Sequence, residues 1–244
     1  MAFGVGACFL LNAISYLAVI VAYMLMHFRP MDVRVSDEGH WSELKEGLLY
    51  VRNNVIVNRA IALIGVASLF AMSYSTLLPV FASEILKGGA RTYTGLMSAA
   101  GAGALVSALT VASLGNYPRR GLLAAMGAIA LPIAVIGLSF AGVRPVAYVV
   151  CVVLGMAMIL LTASINTLIQ SAIPDRLRGR VMSIYILVFF GLWPFSNLLA
   201  GRLAQSLGTV TALRIGGAVS LAVSVALLLS TPEFARFSVQ RRQG

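Results

Sequence analysis

Seven stretches of the chain contain no Asp, Glu, Lys or Arg: residues 1–28, 60–83, 92–118, 121–143, 145–174, 181–201 and 215–232. Each is near or above the ~20 residues that an α-helix needs to cross the hydrocarbon of a bilayer. The last is the shortest, but a span beginning near Thr211 tolerates Arg214 at its entrance, where a long side chain snorkels toward the headgroups; Arg202 closes the sixth in the same way. With 59% hydrophobic and 11% charged residues, the chain has too few charges to coat a water-soluble domain. Transmembrane strands would alternate over segments of roughly ten residues around a polar lumen, whereas these runs are apolar on every face. The expected fold class is all-α, a polytopic membrane helix bundle of seven transmembrane helices.

The first run lacks the basic start of a secretory signal, exceeds an ordinary signal core and has no convincing cleavage site before Arg29, so it reads as a retained helix. Both cysteines, Cys8 and Cys151, fall inside expected spans, where a thiol behaves as a small hydrophobe and not as a disulfide or metal ligand. No cofactor is expected.

Orientation follows from charge. Arg29, Arg34, Lys45, Arg52 and Arg59 follow the first span and no Lys or Arg precedes it, which puts the N-terminus outside. Alternation then places residues 27–59, 116–120, 171–180 and the tail 231–244 inside with 13 Lys and Arg, against Lys87, Arg91 and Arg144 outside. The net charge of +10 is accounted for by topology and by attraction to anionic inner-leaflet lipid. No basic stripe with interleaved aromatics suggests a nucleic acid partner. The expected location is the inner (plasma) membrane with a cytoplasmic C-terminus.

Residues 29–59 form the longest polar stretch and contain a helical pattern with Trp41, Leu44, Leu48 and Val51 on one face, read as a linker helix along the inner membrane surface with Trp41 as its anchor. The expected organisation is a separate first helix (1–28), this cytoplasmic linker (29–59), a six-helix bundle (60–232) and a tail (233–244). Six spans divide into two triplets, 60–143 and 145–232, of opposite starting side, the inverted repeat common in secondary transporters.

Polar residues within the spans carry the functional reading, because an amide in hydrocarbon must find a partner or face a water-filled cavity. Asn166 and Gln170 lie four apart on one helix face, Trp193-Pro194 should bend the sixth span, and Asn197 follows. With Tyr74, in the Ser73-Tyr-Ser-Thr76 cluster, these are the candidates for lining a substrate path; cross-linking of helices is the competing reading, as for Asn12. Asp175 lies among Arg176, Arg178 and Arg180, beside Gly179, just before a span; its carboxylate can cap the helix start and pair with an Arg when the inner side closes, so 175–180 reads as a gating loop. Gly95, Ala99, Gly103 and Ser107 recur every four residues, a pattern for close helix packing. No Gly-Lys-Ser/Thr phosphate loop follows, so an ATP-driven pump is disfavoured. Isolated serines and the boundary histidines His27 and His40 make no catalytic set, and no enzyme is expected.

Ala172-Ile-Pro-Asp-Arg-Leu-Arg-Gly-Arg-Val-Met-Ser-Ile-Tyr185 resembles the loop between helices ten and eleven of the major facilitator superfamily, and Phe190-Gly-Leu-Trp-Pro-Phe-Ser-Asn-Leu-Leu-Ala-Gly201 extends the match. Cys8-Phe-Leu-Leu-Asn-Ala-Ile-Ser-Tyr16 resembles helix six of its bacterial exporter branch, which includes siderophore and macrolide efflux proteins. The resemblance implies one six-helix major-facilitator half plus one extra N-terminal helix, that is, helices six to twelve of twelve. Met1 then becomes an internal or miscalled start, and a partner half is needed for transport. One departure is Gly115-Asn-Tyr-Pro-Arg-Arg120, which stands where the family often has an Asp in its loop signature and has none, leaving Arg119 and Arg120 as topology determinants. The implied function is a secondary exporter of small organic compounds, the alternative being a membrane remnant or interaction protein that moves nothing. None of the acidic residues (Asp32, Asp37, Glu38, Glu43, Glu46, Glu84, Asp175, Glu233) lies within a span, so coupling to a proton is expected to run through the missing half.

Overall fold

Backbone amides and carbonyls in hydrocarbon have no water to bond, and a helix satisfies them within one segment. In the computed structural model, which describes residues 5–26, 40–114 and 119–236, every regular element is helical. The elements are α1 (Val5–Leu25), α2 (His40–Asn53), α3 (Val55–Ile85), α4 (Ala90–Ser113), α5 (Arg120–Ser139), α6 (Arg144–Ala172), α7 (Asp175–Leu207), α8 (Thr209–Leu229) and the short α9 (Pro232–Arg236). Helices α3 to α8 are six that are long and apolar enough to cross a membrane, and α1 adds a shorter apolar stretch, Phe9–Leu25. The expected all-helical membrane bundle is therefore present. The segments 27–39, 115–118 and 237–244, the side chains of Cys8 and Trp41, and the expectations attached to them lie outside the described residues.

The chain divides into two compact units, Met1–Gly39 and His40–Gly244. In the first, α1 exposes apolar side chains along its length, Phe9 and Leu17 among them. In the second, α6 is the central element, packed between α4 and α5, while α5 also packs on α8 and α3 leans on α6, α7 and α8. Leu154, Leu161, Ile165 and Leu168, spaced at whole helical turns along α6, are fully buried.

Lipid tails are as apolar as leucine, so the hydrophobic effect does little to hold such helices together; close packing does. The small residues of α4 supply it. A Cβ on Gly103 would collide with the Val152 carbonyl of α6, and one on Gly155 with the Ala100 carbonyl of α4, so the two backbones touch reciprocally. A Cβ on Gly95 would stand 2.9 Å from the Tyr148 hydroxyl. The row of Gly95, Gly103 and Ser107 is thus a packing face. At the other end of the bundle, Gly121 of α5 leaves room for the Phe234 carbonyl of α9, whose ring is fully buried.

Two spans are irregular. Helix α3 has π turns at Ala67–Ala71 and Phe81–Ile85, with Met72 and Ser73 in a turn between helical stretches and Pro79 inside the second. Helix α7 is interrupted at Leu192, directly before Trp193-Pro194. Proline has no N–H to return to the Phe190 carbonyl one turn earlier, so the regular ladder cannot continue through it. The bend expected from the Trp-Pro pair is there.

Gly103→Leu should lower the unfolding temperature of the purified chain in detergent by an amount corresponding to about 1–3 kcal/mol of overpacking. Gly101→Leu, where an added Cβ meets nothing within 4 Å, should leave it unchanged or raise it.

Candidate functional site

Four aromatic residues at i, i+4, i+5 and i+8 of α7 form a stripe that ends at the helix break. Tyr185 and Phe189 are stacked with centroids 6.1 Å apart, Phe189 and Phe190 meet edge to face at 4.6 Å, and Phe190 and Trp193 are tilted at 6.0 Å. Such offset and edge contacts suit the ring quadrupoles and hold the stripe as a unit.

Two cavities share this stripe. One, of about 390 Å³, lies between Met72, Tyr74 and Ser75 of α3, Met97 of α4, Met158 of α6, and Phe189, Phe190 and Trp193 of α7. The other, of about 330 Å³, lies between Thr162, Ala163 and Asn166 of α6 and the α7 residues Met182, Tyr185, Ile186, Phe189 and Phe190. No charged side chain lines either. The hydroxyls of Ser75 and Thr162 donate back to carbonyls of their own helices, Met72 at 3.0 Å and Met158 at 2.9 Å. The walls therefore offer polarisable rings and thioethers with very few hydrogen bonds, a surface suited to an apolar or aromatic body.

The sequence candidates gather unequally around this wall. Tyr74 and Trp193 line the larger cavity and Asn166 the smaller. Gln170 donates from Nε2 to Asn166 Oδ1 at 3.0 Å, so the two amides on one face of α6 form a pair. Asn197 lines neither cavity; its Oδ1 accepts the Thr76 hydroxyl at 2.7 Å and ties α7 to α3 beyond the break. Before the break, the Ser68 hydroxyl, in the first π turn of α3, donates to the Phe189 carbonyl at 2.6 Å. Gly65 of α3 accommodates Val188 and Leu192. Sequence reading missed Tyr185, Phe189, Phe190 and the four methionines, Met182 among them. The adjacent phenylalanines four residues ahead of Trp193-Pro194 were a signal, whereas Met72, Met97 and Met158 come from three separate helices and carried none.

A second polar cluster sits where α2 crosses the turn between α6 and α7. Glu46 pairs with Arg176 at 2.5 Å and with Arg180. The neighbouring Gly47 is buried, and a Cβ there would lie 3.2 Å from both Arg180 Cβ and Ile184 Cδ1. One turn on, the Tyr50 hydroxyl donates to the Ala172 carbonyl at 3.2 Å and accepts from Asn54 Nδ2 at 3.3 Å, while Asn54 Oδ1 caps α3 by accepting from Val57 N at 3.1 Å. Helix α2 thereby clasps the last carbonyl of α6 and the first turns of α7.

This arrangement corrects one sequence expectation in detail. Asp175 does not cap α7: Pro174 occupies the cap position without a side-chain bond, and Asp175, in the first turn, pairs with Arg178 at 2.7 Å. A carboxylate there still favours the positive end of the helix dipole. On α2, Val51 is buried against the bundle while Leu44 and Leu48 are exposed. Gly179 is exposed with open space where a Cβ would be. Glu46, the counter-ion that gathers two of the arginines, was missed because its partners are 130 residues away.

At the opposite end of the bundle, Arg144 donates to the carbonyls of Leu86 and Lys87, closing the end of α3, and the Thr209 hydroxyl donates to Glu84 at 3.4 Å. Arg214 lies 4.4 Å over the Phe140 ring and donates to Ser139 Oγ. Glu84 is thus a helix-end residue, as expected.

A family model described as transmembrane secretion effector matches residues 1–240. The chain belongs to this family. It is a membrane transporter of the major facilitator type. Neither among curated proteins nor among solved structures was a significant match found. In a transporter, bilayer contact and a small-molecule cargo follow. The α2 clasp is the feature best suited to hold one end of α7 still.

Glu46→Gln should destabilise the transporter by about 1 kcal/mol, since the pair is partly solvent-exposed. Combined with Arg176→Gln it should show non-additive loss in a double-mutant cycle of unfolding temperatures in detergent; full additivity would mean the pair contributes nothing.

Proposed function

We propose that this transporter is a secondary exporter of small amphipathic organic compounds, and that the six-helix bundle α3–α8 lines one side of a central cavity that opens alternately to the two faces of the membrane. The observation that carries this reading is the stripe of Tyr185, Phe189, Phe190 and Trp193, which two cavities share and which ends at the break in α7. Phe190 and Trp193 are exposed in the described bundle. An aromatic surface within a membrane-spanning helix suits a cargo with a planar apolar body and a few polar atoms, for which Asn166 supplies an amide.

A single six-helix bundle presents one wall, and on this reading a second bundle supplies the facing wall, whatever polypeptide carries it. Proton coupling is assigned to that facing bundle, because within the described spans no Asp, Glu or His lies between the helix ends. The Glu46–Arg176–Arg180 cluster with Asp175–Arg178 is assigned to the cytoplasmic end, where it holds α2 against α7 and opens when that end separates. This places Lys45 and Arg176 inside and Lys87 and Arg144 outside, with the N-terminus outside and the C-terminus in the cytoplasm, as the positive-inside rule requires. The membrane is the inner (plasma) membrane. The organisation follows: residues 1–28 as a helix separate from the bundle, 29–59 as the cytoplasmic linker, 60–232 as the bundle and 233–244 as the tail.

Cells expressing the chain together with its facing half should accumulate less of a planar aromatic dye than cells lacking it, and collapse of the proton gradient should abolish the difference. Trp193→Ala and Phe190→Ala should each reduce dye efflux about tenfold, the loss that removal of one aromatic contact worth about 1–1.5 kcal/mol predicts, with protein level in the membrane unchanged. Efflux unaffected by both substitutions would remove the wall from the path.

A further inference from the structure

Two tyrosines stand at the aromatic wall, one in each cavity. Tyr74 of α3 lines the larger and Tyr185 of α7 the smaller, and only 6% and 7% of their surfaces are exposed. Neither hydroxyl has a hydrogen-bond partner among the described residues, yet neither is sealed in, as the hydroxyls of Ser164, Ser196 and Ser220 are. The other two hydroxyls lining the cavities are already engaged, since Ser75 and Thr162 donate to carbonyls of their own helices. Two phenols, each more than nine-tenths buried, accessible and unpartnered, are thus left to whatever enters the two cavities, which share Phe189 and Phe190.

A buried tyrosine ordinarily finds a partner for its O–H, because an unmade bond leaves the desolvation of that group uncompensated. In a packed interior, phenylalanine would serve at either position without that cost. Tyrosine at both, with the ring buried and the hydroxyl within reach, is explained by a partner that comes from outside the chain. Water satisfies such a group while a cavity is hydrated, and a molecule that displaces the water must bring acceptors of its own or lose those bonds.

We propose that Tyr74 and Tyr185 select the cargo. The part of it that lies on this wall is a planar conjugated body with uncharged acceptor oxygens, carbonyl in type, on two separated edges; these accept from the two phenols while Phe189 and Phe190 cover its face. The inference rests on the export reading, in which this wall meets cargo, and narrows it from amphipathic compounds in general to conjugated carbonyl compounds. No charged side chain lines either cavity, so an acceptor with a full charge has no counter-ion on this side. An analogue without the oxygens leaves both buried hydroxyls unpaired, and that asymmetry makes a hydrogen-bonding site selective where an apolar one is not. The cavities, of about 390 and 330 Å³, each exceed the roughly 150 Å³ that holds benzene, so a body of two or three fused rings fits.

The test measures equilibrium binding to the full chain in lipid nanodiscs, with Trp41→Phe leaving Trp193 as the fluorescent reporter on the wall and empty nanodiscs as the blank for partitioning. The probes are anthraquinone, with carbonyls on two opposite edges, and anthracene, the same three-ring frame with none. Anthraquinone should quench Trp193 saturably and bind more tightly than anthracene. Tyr74→Phe and Tyr185→Phe should each weaken anthraquinone about five-fold relative to anthracene, which corresponds to one hydrogen bond of about 1 kcal/mol, and the double variant should erase the preference between the probes. Without ligand, neither substitution should lower the unfolding temperature, since neither hydroxyl has a partner within the described chain to lose. Equal weakening of both probes together with a lowered unfolding temperature would make the phenols packing groups and overturn the selection. An anthraquinone affinity that neither substitution changes, or quenching that does not saturate, would overturn it as well. Because binding is read on the purified chain, the two readings fail separately. Dye efflux that responds to Trp193→Ala but to neither tyrosine substitution, beside unchanged anthraquinone binding, sinks the selection and keeps export; a phenol-dependent anthraquinone preference in a protein that extrudes nothing sinks export and keeps the phenol site.

Discussion

The structure depends on one constraint: inside hydrocarbon, a backbone carbonyl that loses its helical partner must be given another. Helix α7 breaks at Leu192 ahead of Pro194, which leaves the Phe190 carbonyl without its helical donor, and the adjacent Phe189 carbonyl on the rim of that break accepts from Ser68 of α3. Ser68 stands in a π turn of its own, so one irregular helix services the other. Beyond the break, Thr76 and Asn197 bond the same two helices again. With its two halves pinned to α3, α7 can present Phe189, Phe190 and Trp193 to one side without unravelling. The aromatic wall is therefore a product of backbone accounting as much as of side-chain packing.

Around that pair the rest of the bundle serves as scaffold. The reciprocal backbone contacts of Gly103 with Val152 and of Gly155 with Ala100 fasten α4 to α6, which brings Met97 and Met158 to the same cavity from two helices. At one end, α2 reaches across the α6–α7 turn with Glu46 and Tyr50; at the other, Arg144 and Thr209 bind the end of α3 to its neighbours. The polar bonds between elements thus gather at the two ends and at the irregular turns of α3 and α7, and the smooth stretches between them rely on small-residue packing.

Helix existence was legible in the sequence because an uncharged run of spanning length has few other fates, and the Trp193-Pro194 bend was legible because proline acts locally. The α4 packing face was legible from the four-residue spacing of Gly95, Gly103 and Ser107. What the sequence concealed were pairings across long separations: Glu46 with Arg176, Ser68 with Phe189, Thr76 with Asn197. A single chain gives no signal for which carboxylate or hydroxyl meets a distant partner. Which flank of α2 docks was hidden for a related reason, since helical periodicity describes amphipathicity alone: Gly47 is buried against Arg180 and Ile184.

The central claim is that Phe190 and Trp193, the exposed members of the aromatic stripe of α7, face a water-accessible path and not lipid. Cysteine substitution at Phe190, Trp193 and, as exposed references that line neither cavity of the aromatic wall, Leu187 and Leu198, in a background with Cys8 and Cys151 replaced by Ser, tests it directly through the rate of reaction with a water-soluble maleimide in native membranes. Thiols in hydrocarbon stay protonated and out of reach of the reagent, whereas thiols on a hydrated cavity react. The account predicts fast modification at 190 and 193 and none at 187 and 198. Equal inertness at all four positions would place the stripe against lipid and contradict it.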